Sequence, residues 1–262
     1  MEENKLMDLK ISGSSSMPGG KYNEVKISGS GKMEGDLECK TIKVSGSANI
    51  NGNVKSEEVK VSGSCSFQGS IDTKEIKVSG STNIKGDLKA QSLKISGSTK
   101  VSGKGNFEEL SISGSLESGD VRAKEIRLSG NLKSHKNVEA DNINFDGKFN
   151  IENLLNGDDI YVALNGQSYA KDIGGQNIRV ERSSVNRRGI LSLFINFGGS
   201  NGRLKADTIE GDNISLDYTE AQIVRGTRVT IGKGCHIKKV EYSEIYEVDE
   251  GAKVEEAIKV EN

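Results

Sequence analysis

The sequence predicts an all-β fold: a three-sided parallel β-helix of about 16–17 residues per rung. Three observations predict it. The tripeptide Ser-Gly-Ser, preceded by Ile or Val, starts at Ser12, Ser28, Ser45, Ser62, Ser79, Ser96 and Ser113, and a variant follows at Ser129-Gly130-Asn131. The intervals are 16, 17, 17, 17, 17, 17 and 16 residues. Within each interval the apolar residues fall in pairs two apart, which is strand spacing with both side chains on one face. Finally, 32 Gly and 32 Ser stand against only 33% apolar residues and 5% aromatics, too little apolar surface for an ordinary layered domain.

The rung opening at Ile42 gives the pattern. Inward positions are Ile42 and Val44, then Ala48 and Ile50, then Val54 and Ser56, before Val59 opens the next rung. The rung from Val59 repeats the offsets through Val61, Cys65, Phe67, Ile71 and Thr73, and the one from Ile76 through Val78, Thr82, Ile84, Leu88 and Ala90. A gap of four between pairs leaves room for a turn, so each rung has three short strands and three corners. One Gly column follows the first strand (Gly13, Gly29, Gly46, Gly63, Gly80, Gly97, Gly114, Gly130). A second follows the second strand (Gly19, Gly35, Gly52, Gly69, Gly86, Gly103). Gly tolerates positive φ and close backbone approach, so both columns are read as corners. The third corner carries charge instead, as in Glu57-Glu58, Lys74-Glu75 and Glu108-Glu109. Helices are excluded because Gly and β-branched residues recur too densely.

Stacking explains how so few apolar residues suffice. A small column (Ser15, Gly31, Ala48, Cys65, Thr82, Thr99) and a bulky one (Met17, Met33, Ile50, Phe67, Ile84, Val101) would each form a vertical file. A single rung buries roughly four aliphatics at about 1.5–3 kcal/mol each, and pairing to both neighbours makes the array cooperative. The expected organisation is a charged arm (1–8), regular β-helix repeats (9–163), an irregular β segment or insertion (164–208) and C-terminal β-helix rungs (209–262). In the irregular part Tyr169, Ile173, Ile178/Val180, Ile190 and Leu193/Phe194/Ile195 read as strands without the glycine rule, and 198–202 as a loop. Offsets return at Val229/Ile231, Cys235/Ile237, Tyr246/Val248, Ala252/Val254 and Ile258/Val260.

Function classes narrow quickly. A net charge of −2 gives no case for nucleic acid as a partner. Met1–Lys10 does not read as a secretion signal, and no run is apolar enough for a spanning helix. Cys39, Cys65 and Cys235 are three and widely spaced, which suits a reducing cytoplasm. No catalytic, cofactor-binding or metal-ligating set stands out. His135 and His236 have no repeated partner, and Cys39 and Cys65 fall in inward columns as small core residues. A basic stripe (Lys26, Lys43, Lys60, Lys77, Lys94) could meet an anionic polymer or membrane surface. The acidic column two residues earlier (Glu24, Glu58, Glu75) favours mutual neutralisation instead. What remains is the two ends, where a β-helix exposes unpaired N–H and C=O groups. The residues expected at these self-association ends are Leu9, Ile11 and Met17 at one, and Tyr246, Val248, Val254, Ile258 and Val260 at the other.

The short rungs with inward Val/Ile and corner Gly resemble bactofilins, bacterial polymer-forming cytoskeletal proteins. The likeness is greatest to members with serial Ile-Ser-Gly-Ser units, here Lys10-Ile-Ser-Gly-Ser and Val25-Lys-Ile-Ser-Gly-Ser30. Val224-Arg-Gly226, Val229-Thr-Ile-Gly-Lys-Gly-Cys235 and Val240-Glu-Tyr242 are similar to the ending of that group. The resemblance implies a right-handed, three-sided β-helix that polymerises end to end without nucleotide or metal. It also implies a scaffold role in the cytoplasm, or peripherally at the inner face of the membrane, with the chain itself and envelope or motility proteins as partners. Two alternatives stand beside it: an adhesin-like β-helix binding module, and a hexapeptide-type acyltransferase suggested by Ile231-Gly-Lys-Gly-Cys235-His-Ile237.

Overall fold

A computed structural model describes residues 6–183 and 202–261. The strand expected at Ile190 and Leu193–Ile195, and residues 198–201 of the expected loop, lie outside the described residues. No helix occurs among those described, which are β-strand joined by bends and short turns. It divides into two units, Met1–Glu125 with Lys133–Lys136, and Ile126–Leu132 with Asn137–Asn262.

Unit 1 is a parallel β-solenoid. Its strands are β1 (Leu9–Ile11), β2 (Ser14–Ile27), β3 (Ser30–Val44), β4 (Ser47–Asn51), β5 (Val54–Val61), β6 (Ser64–Phe67), β7 (Ile71–Val78), β8 (Ser81–Ile84), β9 (Leu88–Ile95), β10 (Ser98–Val101), β11 (Gly105–Ile112) and β12 (Ser115–Ser118). Two ladders climb in parallel. One runs β3, β5, β7, β9, β11 and the other β4, β6, β8, β10, β12. Each residue stands on its equivalent one repeat earlier: Val59 on Ile42, Ile76 on Val59, Phe67 on Ile50, Ile84 on Phe67.

All three inward pairs of a rung are buried, as Val59/Val61, Cys65/Phe67 and Ile71/Thr73 illustrate. The bulky files are sealed, with Ile50, Phe67 and Ile84 at 0% exposure. In the first rung the equivalents Ser15 and Met17 are exposed and half-buried, since no described strand lies beyond β1.

The first corner needs its glycines for close approach rather than for unusual φ. A Cβ on Gly63 would collide with the carbonyl oxygens of Gly46 and Ser45, and one on Gly80 with those of Gly63 and Ser62. Among the described glycines, positive φ is confined to Gly20, Gly35 and Gly234. The corner is tight because its backbone continues the ladder. Ser62 and Gly63 both donate their N–H to the Val44 carbonyl (2.8 and 3.2 Å), and Ser64 donates to that of Gly46 (2.9 Å). Gly13, in the first rung, has nothing within 4 Å of its would-be Cβ.

The second corner adds a polar ladder. Oδ1 of Asp36 accepts the Asn53 N–H (2.7 Å), Oδ1 of Asn53 accepts that of Ser70 (2.9 Å), Oγ of Ser70 that of Asp87 (3.1 Å), and Oδ1 of Asp87 that of Lys104 (2.8 Å). Each short polar side chain thus satisfies the corner N–H of the next rung, which would otherwise face only water.

Unit 2 continues the parallel scheme in β15 (Val138–Phe145), β16 (Lys148–Leu164), β17 (Gln167–Arg182), β18 (Arg203–Leu216), β19 (Thr219–Ile231), β20 (His236–Val248) and β21 (Lys253–Lys259), each pairing with the next. The step between stacked residues is no longer constant. Ile143, Ile160, Ile178, Ile214, Val229 and Tyr246 form one file, with steps of 17, 18, 36, 15 and 17. The longest step brings β17 and β18 together in register across the 18 residues 184–201.

Residues 167–182 obey a glycine rule after all, beside a different corner. Gly157, Gly175, Gly211 and Gly226 stack just before the third corner, following Ala140 in the same file. A Cβ on Gly211 would strike the Gly175 carbonyl oxygen, and one on Gly226 would lie 2.8 Å from that of Gly211. Tyr169, read as a strand residue, lies in β17, half-buried on the outer face between the buried Ser168 and Ala170. At the C-terminal end the expected inward pair Ile258/Val260 is displaced. Ala257 stands on the buried Val240, and Ile258 stands on the outward Glu241.

Candidate functional site

The only described surfaces with large exposed apolar side chains are the first and last rungs. They are Leu6 (43%), Met7 (75%), Ile245 (45%), Val248 (50%) and Val260 (38%). At the N-terminal end, residues 6–8 run beside 22–24: Asn23 donates its N–H to the Met7 carbonyl (2.9 Å) and its Nδ2 to Oδ1 of Asp8 (2.8 Å). Leu9 and Ile11 are buried there and Met17 half-buried, so the exposed apolar groups are Leu6 and Met7. Tyr22 sends its hydroxyl to the Pro18 carbonyl (3.0 Å) in the same rung. Sequence reasoning passed over Leu6 and Met7 as part of a charged arm, although two adjacent large apolar residues in so polar a chain are a readable signal.

At the C-terminal end Tyr246 stands on Val229 and Val248 on Ile231. Tyr246 is half-buried and stacked on Tyr242, with centroids 5.1 Å apart and planes 23° from parallel. Burial, and secondly the Tyr242 hydroxyl, raise the Tyr246 pKa. Val254 stands on Ile237 and, like Ile258, is half-buried. β21 pairs with β20 along one edge, and no described strand pairs with its other edge. β1 likewise pairs only with β2. Both terminal strands therefore present open backbone donors and acceptors.

The basic stripe lies among carboxylates. Lys43 pairs with Glu24 (2.6 Å), Lys60 with Glu58 (2.6 Å), Lys77 with Glu75 (2.9 Å) and Lys94 with Glu75 (3.8 Å). Hydrogen bonds across these pairs raise the Lys43 and Lys77 pKa and lower that of Glu75. Lys26 joins no ion pair among the described residues.

The thiols are buried. Burial pushes Cys39 up to about 12 and Cys235 up to about 11, and raises Cys65 as well, so none is a ready thiolate. Cys235 Sγ also donates to the Leu216 carbonyl (3.2 Å). His135 and His236 sit on the outside beside Glu117 (3.0 Å) and Glu255 (3.3 Å). No three His, Cys, Asp or Glu residues cluster to hold a metal ion among the described residues, and no described helix is long and apolar enough to cross a membrane.

The described residues define a parallel β-solenoid whose large exposed apolar side chains gather at its terminal rungs. Residues 8–106 match the Bactofilin family, described as polymer-forming cytoskeletal, and this stretch of the chain is bactofilin-like. Among curated proteins, the chain is 40% identical over 111 residues to the uncharacterized protein YhbE of Bacillus subtilis (strain 168), covering 42% of this chain and 44% of that protein. It is 38% identical over 108 residues to the uncharacterized protein YhbF of the same organism, covering 41% of this chain and 42% of that one. The chain thus spans less than half the length of the curated relatives it matches. No solved structure matches.

Proposed function

We propose that this chain is a self-associating structural scaffold of the bacterial cytoskeleton, polymerising end to end through its terminal rungs without nucleotide. The observation that carries the reading is the confinement of exposed large apolar residues to those rungs, beside strand edges with no described partner. Docking one terminal edge on another extends the ladder and covers Ile245 and Val248, each worth roughly 1.5–3 kcal/mol if fully buried. Leu9, Ile11, Met17, Tyr246, Val254 and Ile258 form the layer behind the contact, and the exposed Val260 lies in the contact itself. The family match supports polymer formation as the outcome. On this reading the rungs coil right-handed, the polymer lies in the cytoplasm or at the inner face of the membrane, and envelope or motility proteins are its further partners.

The test is negative-stain electron microscopy with sedimentation, in buffer free of nucleotide and divalent metal. Polymers form, and Ile245→Glu/Val248→Glu reduces them to single chains with an unchanged circular dichroism spectrum. A wild-type chain that stays single at high concentration and physiological salt overturns the proposal.

A further inference from the structure

The third side of unit 1 carries a different surface. Its outward residues, one per rung, are Lys21, Glu38, Lys55, Asp72, Lys89 and Asn106, stacked in register. The charges alternate, and all six residues are exposed. Together with the corner residues Asp36, Asn53, Ser70 and Asp87 they line a shallow groove of ≈ 660 Å³. On the neighbouring side, Lys43, Lys60, Lys77 and Lys94 are each held by a glutamate of their own chain. Here only Lys21–Glu38 is paired (2.9 Å), and Lys55, Asp72 and Lys89 join no ion pair among the described residues. Three consecutive rungs thus present charges of alternating sign that make no direct ion pair within the chain, although Lys55 acts on Glu38 at longer range.

Such a column is complementary to its own reverse. We propose that this face joins two copies of the chain side by side and antiparallel. The two-fold axis runs along the strands, between the rung of Lys55 and the rung of Asp72. An isologous contact repeats each pair twice. Lys55 then faces Asp72 of the second copy and Glu38 faces its Lys89, while Lys21 meets the neutral Asn106. In the adjoining third-corner column Glu57 and Lys74 are already paired within the chain (3.1 Å) and add no free charge to the contact. Asp36 and Asp87 would face each other as like charges at the edge of the contact, which limits its strength. A polyanion is a poor occupant, because every second position would repel it. The patch is six rungs long, about 29 Å at 4.8 Å per rung. A contact of that size is weak and sensitive to salt.

This side-by-side contact is separable from end-to-end association, which is apolar and survives salt. Sedimentation velocity and filament width in electron micrographs are read at about 20 mM and about 1 M salt. Paired chains at low salt that separate at high salt, with filament length retained, are the expected result. Asp72→Lys turns three rungs into a run of lysines and weakens side-by-side pairing at least about tenfold, leaving filament length and thermal midpoint unchanged. Lys55→Asp/Asp72→Lys restores opposite charges across the axis and restores the pairing. The proposal is overturned if the wild type shows no pairing at low salt, if Asp72→Lys pairs as well as wild type, if the double variant fails to recover, or if pairing persists at about 1 M salt. Loss of length with width retained would count against the end contact alone.

Discussion

Two stretches of this chain reach the same stacked architecture with part of their corner chemistry in different places. In unit 1 glycine occupies the first and second corners, and the polar ladder Asp36–Asn53–Ser70–Asp87 follows the second. Unit 2 keeps a first-corner glycine at Gly147, whose Cβ would lie 2.4 Å from the Gly130 carbonyl oxygen, and adds the file Gly157–Gly175–Gly211–Gly226 just before the third corner. A polar ladder moves with it: Asn177 donates to Asp159 (2.8 Å), Asn213 to Asn177 (2.9 Å) and Arg228 to Asn213 (3.4 Å). Unit 1 holds a step of 17 along a file such as Ile42–Val59–Ile76–Leu93–Leu110, whereas unit 2 tolerates steps from 15 to 36. What a rung requires is a corner at which one backbone can lie against the next. The first corner supplies it in both units, and unit 2 adds another beside the third.

The comparison breaks most visibly at its glycines. Gly80→Ala in unit 1 and Gly211→Ala in unit 2 each force a Cβ against a carbonyl oxygen of the preceding rung. Each should cost about 1–3 kcal/mol, seen as a lower midpoint in thermal or urea unfolding. Gly13→Ala, with nothing within 4 Å, should stay within about 0.5 kcal/mol of wild type. Equal losses at all three sites would mean that something other than this close approach sets the glycine requirement, since chain entropy alone makes Gly→Ala stabilising.

The polar ladders differ in what they satisfy. Asn53→Ala strands the N–H of Ser70 and should cost on the order of 1 kcal/mol. Asn177→Ala removes only bonds between exposed side chains and should fall below about 0.5 kcal/mol. Chemical denaturation of both variants ranks the two ladders.

The smallest effect is electrostatic and belongs to unit 1. Hydrogen bonds from His135 and then Lys100 hold Glu117 down at about 2, against an ordinary value of 4.5. A carboxylate pKa lowered in the folded state adds stability above the unfolded value and loses it as pH falls through the folded one. The gap in thermal midpoint between wild type and Glu117→Gln should hold from neutrality to about pH 5, shrink from 4.5 downward and close near 2. Because the pair is solvent-exposed, the gap is small at every pH.

Much of unit 1 is legible in its sequence, since equivalent residues recur at fixed distance and one aligned copy predicts the next. The inward files through Ile42, Ile50 and Val54 needed nothing more than the strand period and the gap of four. The alternating column Lys21–Glu38–Lys55–Asp72–Lys89 was equally open to reading, but its meaning depends on which carboxylates the neighbouring lysines engage, and that is decided by side-chain reach between rungs. In unit 2 the changing step hides the equivalences. Gly175 and Gly211 are 36 residues apart, and only backbone pairing makes them neighbours.

Local spacing alone therefore determined the β-solenoid, its three-cornered rung and its aliphatic files, because strand alternation and glycine corners are properties of a few consecutive residues. Tertiary structure decided three things: that a further close contact forms beside the third corner after residue 137, that β17 and β18 are adjacent, and which apolar groups stay uncovered at the terminal rungs. These depend on contacts between rungs, where residues distant in the chain share one ladder, and no local pattern encodes such a partner once the repeat length varies.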